Sequence, residues 1–208
     1  MSTLLLLKTS LFAENGASSR LANDYVRAWR VAHPHGVVVE RNLAAQPAPH
    51  LTAEHFLAFT SKPGERTAEQ QAALDYSDSL IDELKRADAI VLTAPMYNFG
   101  VPSALKAYFD HVARAGVTFR YTANGPIGLL TNKRVTVIAT RGGFYAGTVK
   151  DTASAYLRDF LAFLGLTDVE FVYAEGLALG AEHKQRALGD AQASLQVLAL
   201  GEPLTRAA

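Results

Sequence analysis

The chain has 208 residues, with 20 Lys plus Arg against 20 Asp plus Glu, so its formal net charge is zero. That length suits one domain, 1–208, with a substantial core, and the charge balance argues against nucleic acid as the main partner, because binding a phosphate backbone needs a positive field. With no cysteine present, disulfides, thiolate metal sites and a cysteine nucleophile are excluded.

Residues 4–7 are consecutive leucines, and continuous apolarity suits a strand buried on both faces. A first helix follows, with Leu21, Tyr25, Ala28, Trp29 and Ala32 on one face. The run 37–39 reads as a second buried strand. It leads into a long connection, 43–66, that carries Pro47, Pro49, Pro63 and Gly64. Tyr76, Leu80, Ile81 and Leu84 mark a second helix, and 89–94 a third strand. Pro102 suits the first turn of a third helix, on which Ala104, Leu105, Tyr108, Phe109 and Val112 share a face. Another long connection spans 116–133, where Asn124-Gly125-Pro126 reads as a turn between short extended pieces. A strand at 135–139 precedes a helix marked by Leu157, Phe160, Leu161 and Leu164, with Gly165 as its stop. The last strand is 169–174. The last helix, near 181–200, carries Leu188, Leu195 and Leu198.

Alternating strands and helices predict an α/β fold with a parallel sheet. Five strands fit the flavodoxin-like order 2-1-3-4-5, with helices on both faces. Connections as long as 43–66 and 116–133 tend to be functional or interfacial. No apolar run approaches the roughly 20 residues of a membrane helix, and residues 1–8 are too short for a signal peptide. A cytoplasmic protein without membrane contact is therefore expected.

In such a sheet the ligand lies beyond the carboxyl ends of the strands. Three loops leave those ends. The first, 9–19, carries hydroxyls and opens a helix, so its N–H groups suit a phosphate; Ser18 or Ser19 could equally be an ordinary helix cap. It contains neither GxxxxGK[ST] nor GxGxxG, which argues against a triphosphate loop or a dinucleotide fingerprint. The second, 94–102, carries Met96, Tyr97, Asn98 and Phe99, a wall for a flat ring with an amide for its edge, or else loop aromatics packed on the core. The third, 140–147, carries Gly142 and Gly143, whose bare backbone could meet negative charge at a ring edge or serve conformation alone. The six histidines form no HExxH, so no metal is expected, and the absence of GxSxG leaves a hydrolase triad unsupported. Glu175, at a strand end, reads as structural or interfacial rather than as a proton carrier.

The three loops in this order, with the stretch from Ala94-Pro95-Met96-Tyr97-Asn98-Phe99 to Lys106, resemble the bacterial FMN-dependent NADH-azoreductases. The segments 111–122 and 167–176 continue the likeness over essentially the whole chain. The resemblance implies a flavodoxin-like homodimer with FMN bound non-covalently near the interface. It implies a phosphate loop at Ser10, Gly16, Ala17 and Ser18, an isoalloxazine loop at Met96, Tyr97, Asn98 and Phe99, and a glycine loop at Thr140, Arg141, Gly142 and Gly143. Gly16 and Ala17 depart from a common Ser-Gln-Ser pattern, Thr140 stands where Ser is common, and Tyr145 stands where a His often lies. The activity implied is ping-pong reduction of a small aromatic acceptor, an azo compound or a quinone. NADH is the donor, with NADPH as the alternative; no basic cluster marks a 2′-phosphate site. Phe99, Tyr121 and Phe163 are the candidates to line the acceptor pocket. Since the flavin carries the redox chemistry, no catalytic side chain is expected. The rival reading is a flavodoxin-type electron carrier without its own nicotinamide-dependent turnover.

Overall fold

The structure is a computed structural model that describes residues 2–62, 64–201 and 204; Pro63 of the first long connection lies outside them. In chain order the strands are β1 (Thr3–Lys8), β2 (Val37–Asn42), β3 (Ala89–Thr93), β4 (Phe119–Thr122), β5 (Gly125–Gly128), β6 (Arg134–Thr140) and β7 (Asp168–Ala174). The helices are α1 (Ala17–Ala32), α2 (Ala53–Thr60), α3 (Ala68–Arg86), α4 (Ser103–Val112), α5 (Thr152–Leu164) and α6 (Ala181–Ala199). Five strands form a parallel sheet in the order β2-β1-β3-β6-β7. Counting only those five in chain order gives the expected 2-1-3-4-5.

The leucines of β1 show why this strand is central. Leu4 and Leu6 pack with Leu21, Tyr25 and Trp29 of α1 and Leu195 and Leu198 of α6. Leu5 and Leu7 face the other way, onto Leu80 and Leu84 of α3, Leu105 and Tyr108 of α4 and Leu157 and Leu161 of α5. Each of the four is at most 2 % exposed, and full burial of one such side chain is worth roughly 1.5–3 kcal/mol. A period-2 strand with both faces covered needs apolar residues at every position, which is the pattern seen.

The two long connections differ. The segment 43–66 contains a helix that periodicity did not reveal, α2, whose Thr52 hydroxyl accepts the His55 N–H at 3.2 Å while His55 Nδ1 accepts the Thr52 N–H. The segment 116–133 holds the expected turn, since β4 and β5 pair antiparallel around it. This hairpin is pressed against the end of α5, where Gly165 adopts φ +94° as the helix stop. A Cβ on Gly128 would lie 1.9 Å from the Gly165 nitrogen, so only glycine permits the contact.

The chain reverses its direction of travel across the sheet between β1 and β3. The loops after these strands therefore diverge and leave a crevice at their carboxyl ends. Thr9 Oγ1 donates to the Thr93 carbonyl at 2.6 Å, and Thr93 Oγ1 accepts the Thr9 N–H at 2.8 Å, which fixes the floor of that crevice.

Candidate functional site

A cleft of about 210 Å³ opens at this end of the sheet, lined by Ser10, Ala17, Ser18, Met96, Tyr97, Thr140, Arg141 and Gly142, with Phe12, Pro95 and Leu177. The first eight are residues singled out from the sequence, and they come from all three loops. Gly16, Asn98, Phe99 and Gly143 belong to the same loops but do not line the cleft. Tyr121 and Phe163 lie apart from it, joined through Phe119, whose ring is 5.4 Å from Tyr121 and 4.2 Å from Phe163. Leu177 was not foreseen; the loop after β7 carries no aromatic or glycine signal at that position, only its place after a buried strand.

The first wall begins α1 at Gly16, with no side-chain cap and no acidic residue in the first turn. Its N–H groups are thus left for a ligand. Ser18 is 1 % exposed, lines the cleft, and its Oγ has no partner among the described residues. A buried hydroxyl left unpaired costs roughly 1–3 kcal/mol, so a ligand that accepts its proton would relieve that cost. Ser10 Oγ accepts the Phe12 N–H at 3.3 Å and keeps its own proton to donate. A Cβ on Gly16 would fall 2.1 Å from Ser10 Oγ, so glycine at 16 concedes that space to the Ser10 hydroxyl. Beneath the loop, Lys8 Nζ contacts Glu14 at 2.9 Å and Glu40 at 3.0 Å, and Asn23 donates to Glu14 at 2.9 Å. Burial pushes the Lys8 ammonium down, but the two carboxylates outweigh it and hold its pKa above the ordinary value. Glu14 is held below the usual carboxylate range, by the Asn23 hydrogen bond first and by Lys8 next.

The second wall is a tight turn. Tyr97 and Gly100 exchange N–H···O bonds of 3.1 and 3.0 Å. Asn98 and Phe99 between them have φ +50° and +64°, the signature of a type I′ turn. A non-glycine residue in that region costs on the order of 1–3 kcal/mol. Outliers of this kind gather at ligand sites. The Tyr97 hydroxyl accepts the Leu11 N–H at 3.2 Å, tying the first two walls together. Thr152 Oγ1 donates to the Phe99 carbonyl, and the Phe99 ring meets Tyr145 edge-on at 5.8 Å.

The third wall continues the sheet. The carbonyls of Arg141, Gly142 and Gly143 accept N–H groups from Leu177, Ala178 and Gly176 at 3.1, 3.0 and 3.0 Å. The N–H groups of Gly142 and Gly143 donate to no acceptor among the described residues. Bare donors such as these, Gly142 lining the cleft and Gly143 next to it, suit the hydrogen-bond-accepting edge of a planar ring. A Cβ on Gly143 would sit 3.1 Å from the Tyr145 hydroxyl, whereas one on Gly142 would meet Ala178 at an ordinary 3.5 Å. The Arg141 side chain is wholly buried, its main-chain N–H donates to the Ala174 carbonyl, and its Nε and Nη1 have no hydrogen-bond partner among the described residues.

An uncapped helix N-terminus with serine hydroxyls, an aromatic turn and a glycine backbone therefore surround one crevice. The family model described as "Flavodoxin-like fold" matches residues 2–198. The chain is 54% identical over 196 residues to an FMN-dependent NADH:quinone oxidoreductase of Cellvibrio japonicus, covering 94% of this chain and 98% of that one. The chain belongs to the flavodoxin-like family of FMN-dependent NADH:quinone oxidoreductases and NADH-azoreductases. An Alcanivorax borkumensis member is 53% identical, covering 92% of this chain and 97% of its own. Among solved structures, azoreductase from Bacillus anthracis str. Sterne superposes with TM-score 0.89 at 26% identity, covering 97% and 100% of the two chains. The FMN-dependent NADH-azoreductase from Bacillus anthracis str. Ames Ancestor, in complex with FMN, does so with TM-score 0.85 at 25% identity, covering 96% and 100%. The family expectation drawn from the loops is thus borne out. At this end of the cleft the chain presents Ser10, Ser18 and the uncapped N-terminus of α1.

Proposed function

We propose that the chain is an FMN-dependent oxidoreductase that takes electrons from NADH and passes them to quinones and azo compounds. The observation that carries this reading is the meeting, in one cleft, of the buried unpartnered Ser18 hydroxyl with the free N–H of Gly142, next to that of Gly143. When bound, FMN supplies the redox chemistry, accepting hydride from the nicotinamide and releasing two electrons to the acceptor. The protein's part is placement and electrostatics. Ser10, Ser18 and the first N–H groups of α1 would hold the phosphate. The turn 97–100 would back the ring, and Asn98 could offer an amide to it. The Gly142 and Gly143 N–H groups would stabilise the negative charge that collects on reduction. Phe99, half exposed at the rim and braced on Tyr145, offers a stacking face to donor and acceptor in turn. No side chain is needed as a nucleophile.

We further propose a homodimer. The two long connections carry exposed apolar side chains, Leu51, Phe56 and Leu57 on one and Tyr121, Ile127 and Leu129 on the other. A two-fold contact would cover such residues, and Tyr121 and Phe163 would then serve the partner's pocket. No helix among the described residues is long and apolar enough to cross a membrane, and with NADH as the donor we propose a cytoplasmic location. The test is direct. Purified protein should be yellow, release FMN rather than FAD on heating, and oxidise NADH rapidly only when a quinone or azo dye is supplied. Sedimentation at micromolar concentration should give the dimer mass. A protein that FMN cannot turn yellow, or that NADH reduces only slowly, would sink the reading.

A further inference from the structure

Behind the glycine loop lies a buried charged cluster that hydride transfer does not use. Arg141 is among the largest fully buried side chains. Its Nη2 donates to Asp151 Oδ1 and to Ser154 Oγ, both at 2.7 Å, and its guanidinium lies 5.5 Å from the centre of the Tyr173 ring. Its Nε is 3.6 Å from Glu175 Oε1. That same Glu175 oxygen accepts the N–H groups of Tyr145 and Ala146, each at 2.8 Å. One carboxylate oxygen thus gathers two backbone donors from across the loop and faces a buried cation that strengthens its charge.

We infer that Glu175 is a positioning residue for the cofactor and acceptor site, acting as a clamp on the 143–147 turn. The inference rests on the function proposed above. The clamp works through three contacts. It fixes the Tyr145 main chain, whose ring occupies the space above Gly143 and meets Phe99 edge-on. It uses up the Tyr145 and Ala146 donors, which leaves the N–H groups of Gly142, Gly143 and Phe144 as the free donors of this stretch among the described residues. It also closes the loop onto β7, where Gly176 already donates to the Gly143 carbonyl. Sequence neighbours cannot supply this anchor, because the bonds span 30 and 29 residues. Carboxylate–amide bonds are about twice as strong as neutral ones, which suits a loop that must keep its shape when charge develops beside it.

The test compares Glu175→Ala with Glu175→Gln in the purified, cofactor-loaded protein. The Gln amide oxygen can still accept both N–H groups, whereas Ala removes the acceptor. For Glu175→Ala we expect amide exchange at 145 and 146 to rise about tenfold or more, FMN affinity to fall by a similar factor, and the visible flavin band to shift. Glu175→Gln should restore most of each. Parent-like exchange, flavin spectrum and FMN affinity in a folded Glu175→Ala protein would overturn the clamp. So would a Gln variant as impaired as the Ala variant, since that would assign Glu175 to charge balance with Arg141 alone. Should Glu175→Ala fail to fold, the Gln variant decides by itself: slow exchange at 145 and 146 supports the clamp, and tenfold faster exchange refutes it. A parent protein without flavin would fail the functional reading instead, and the exchange measurement would still report on the clamp.

Discussion

On one side of the cleft the 97–100 turn stands on two main-chain bonds and two left-handed non-glycine residues. On the other side the 141–146 loop stands on Arg141, Asp151 and Glu175, all largely buried. The two walls flank one cleft but store energy differently. The turn holds local backbone strain that a single residue can relieve. The loop holds charges taken out of water, which are tolerable only as a set. Strain at the turn should therefore yield small, local effects when changed, and loss of one ion at the loop should be felt through the whole fold.

The largest test of this contrast is Arg141→Met. It keeps apolar volume but leaves Asp151 and Glu175 buried without their cation, and breaking a buried pair in this way costs about 3–5 kcal/mol. Urea unfolding should show that loss, and adding Asp151→Asn should recover part of it, because the two sites share one interaction. A variant within about 1 kcal/mol of the parent would mean that the loop does not rest on its charges.

The turn should answer more mildly. Phe99→Gly removes a left-handed phenylalanine but also its edge contact with Tyr145, two effects of about 1 kcal/mol and opposite sign. Stability should stay near the parent's while the acceptor KM rises several-fold. Asn98→Ala loses the amide and also places alanine at φ +50°; Asn98→Gly loses only the amide. If Asn98 serves the ring edge, both variants should weaken FMN binding several-fold, in keeping with about 0.5–1.5 kcal/mol for one neutral hydrogen bond, and only the alanine should also unfold earlier. Equal unfolding of the two would remove the case for strain in the turn.

The same contrast explains what the sequence made legible. The sheet was readable because buried parallel strands must be apolar throughout and their covering helices must be amphipathic. Helix α2 escaped because it is only 8 residues long, and its capping box uses His55 where Glu or Gln is the recognisable partner. The turn wall was readable because Met96, Tyr97, Asn98 and Phe99 are contiguous. The charged wall was not. Arg141 resembled a ligand-binding residue, and only the fold turns its guanidinium inward to Asp151 and Ser154. Glu175 stood at a strand end with no local motif, since its acceptor oxygen works on backbone donors that have no sequence identity. Contacts made through main chain at long separation leave little trace in a single sequence.

The smallest effect concerns α4, the helix into which the turn leads, where a titratable ring is held neutral rather than charged. His111 is fully buried. Its Nε2 donates to the Pro49 carbonyl at 2.9 Å, its Nδ1 has no partner among the described residues, and the rings of His55 and Tyr76 lie 5.4 and 5.3 Å away. Burial pushes its pKa below the ordinary 6.5, the Pro49 bond and Asp110 oppose this, and His55 adds to it. Because the folded pKa is depressed, the unfolded chain takes up a proton first as pH falls below 6.5. Stability is thus unaffected by this group at neutral pH and above, declines from about pH 6.5 downward, and levels off below the folded pKa. One such group can supply at most about 1.4 kcal/mol per pH unit. Other groups also contribute to the parent's pH dependence, so the measurement is a difference. The stability of His111→Gln minus that of the parent, from urea unfolding between pH 8 and pH 5, should stay constant above neutrality and rise in the variant's favour at acid pH. A flat difference across the range would mean that His111 is protonated as readily inside the fold as outside it, and that the packing behind the turn admits charge after all.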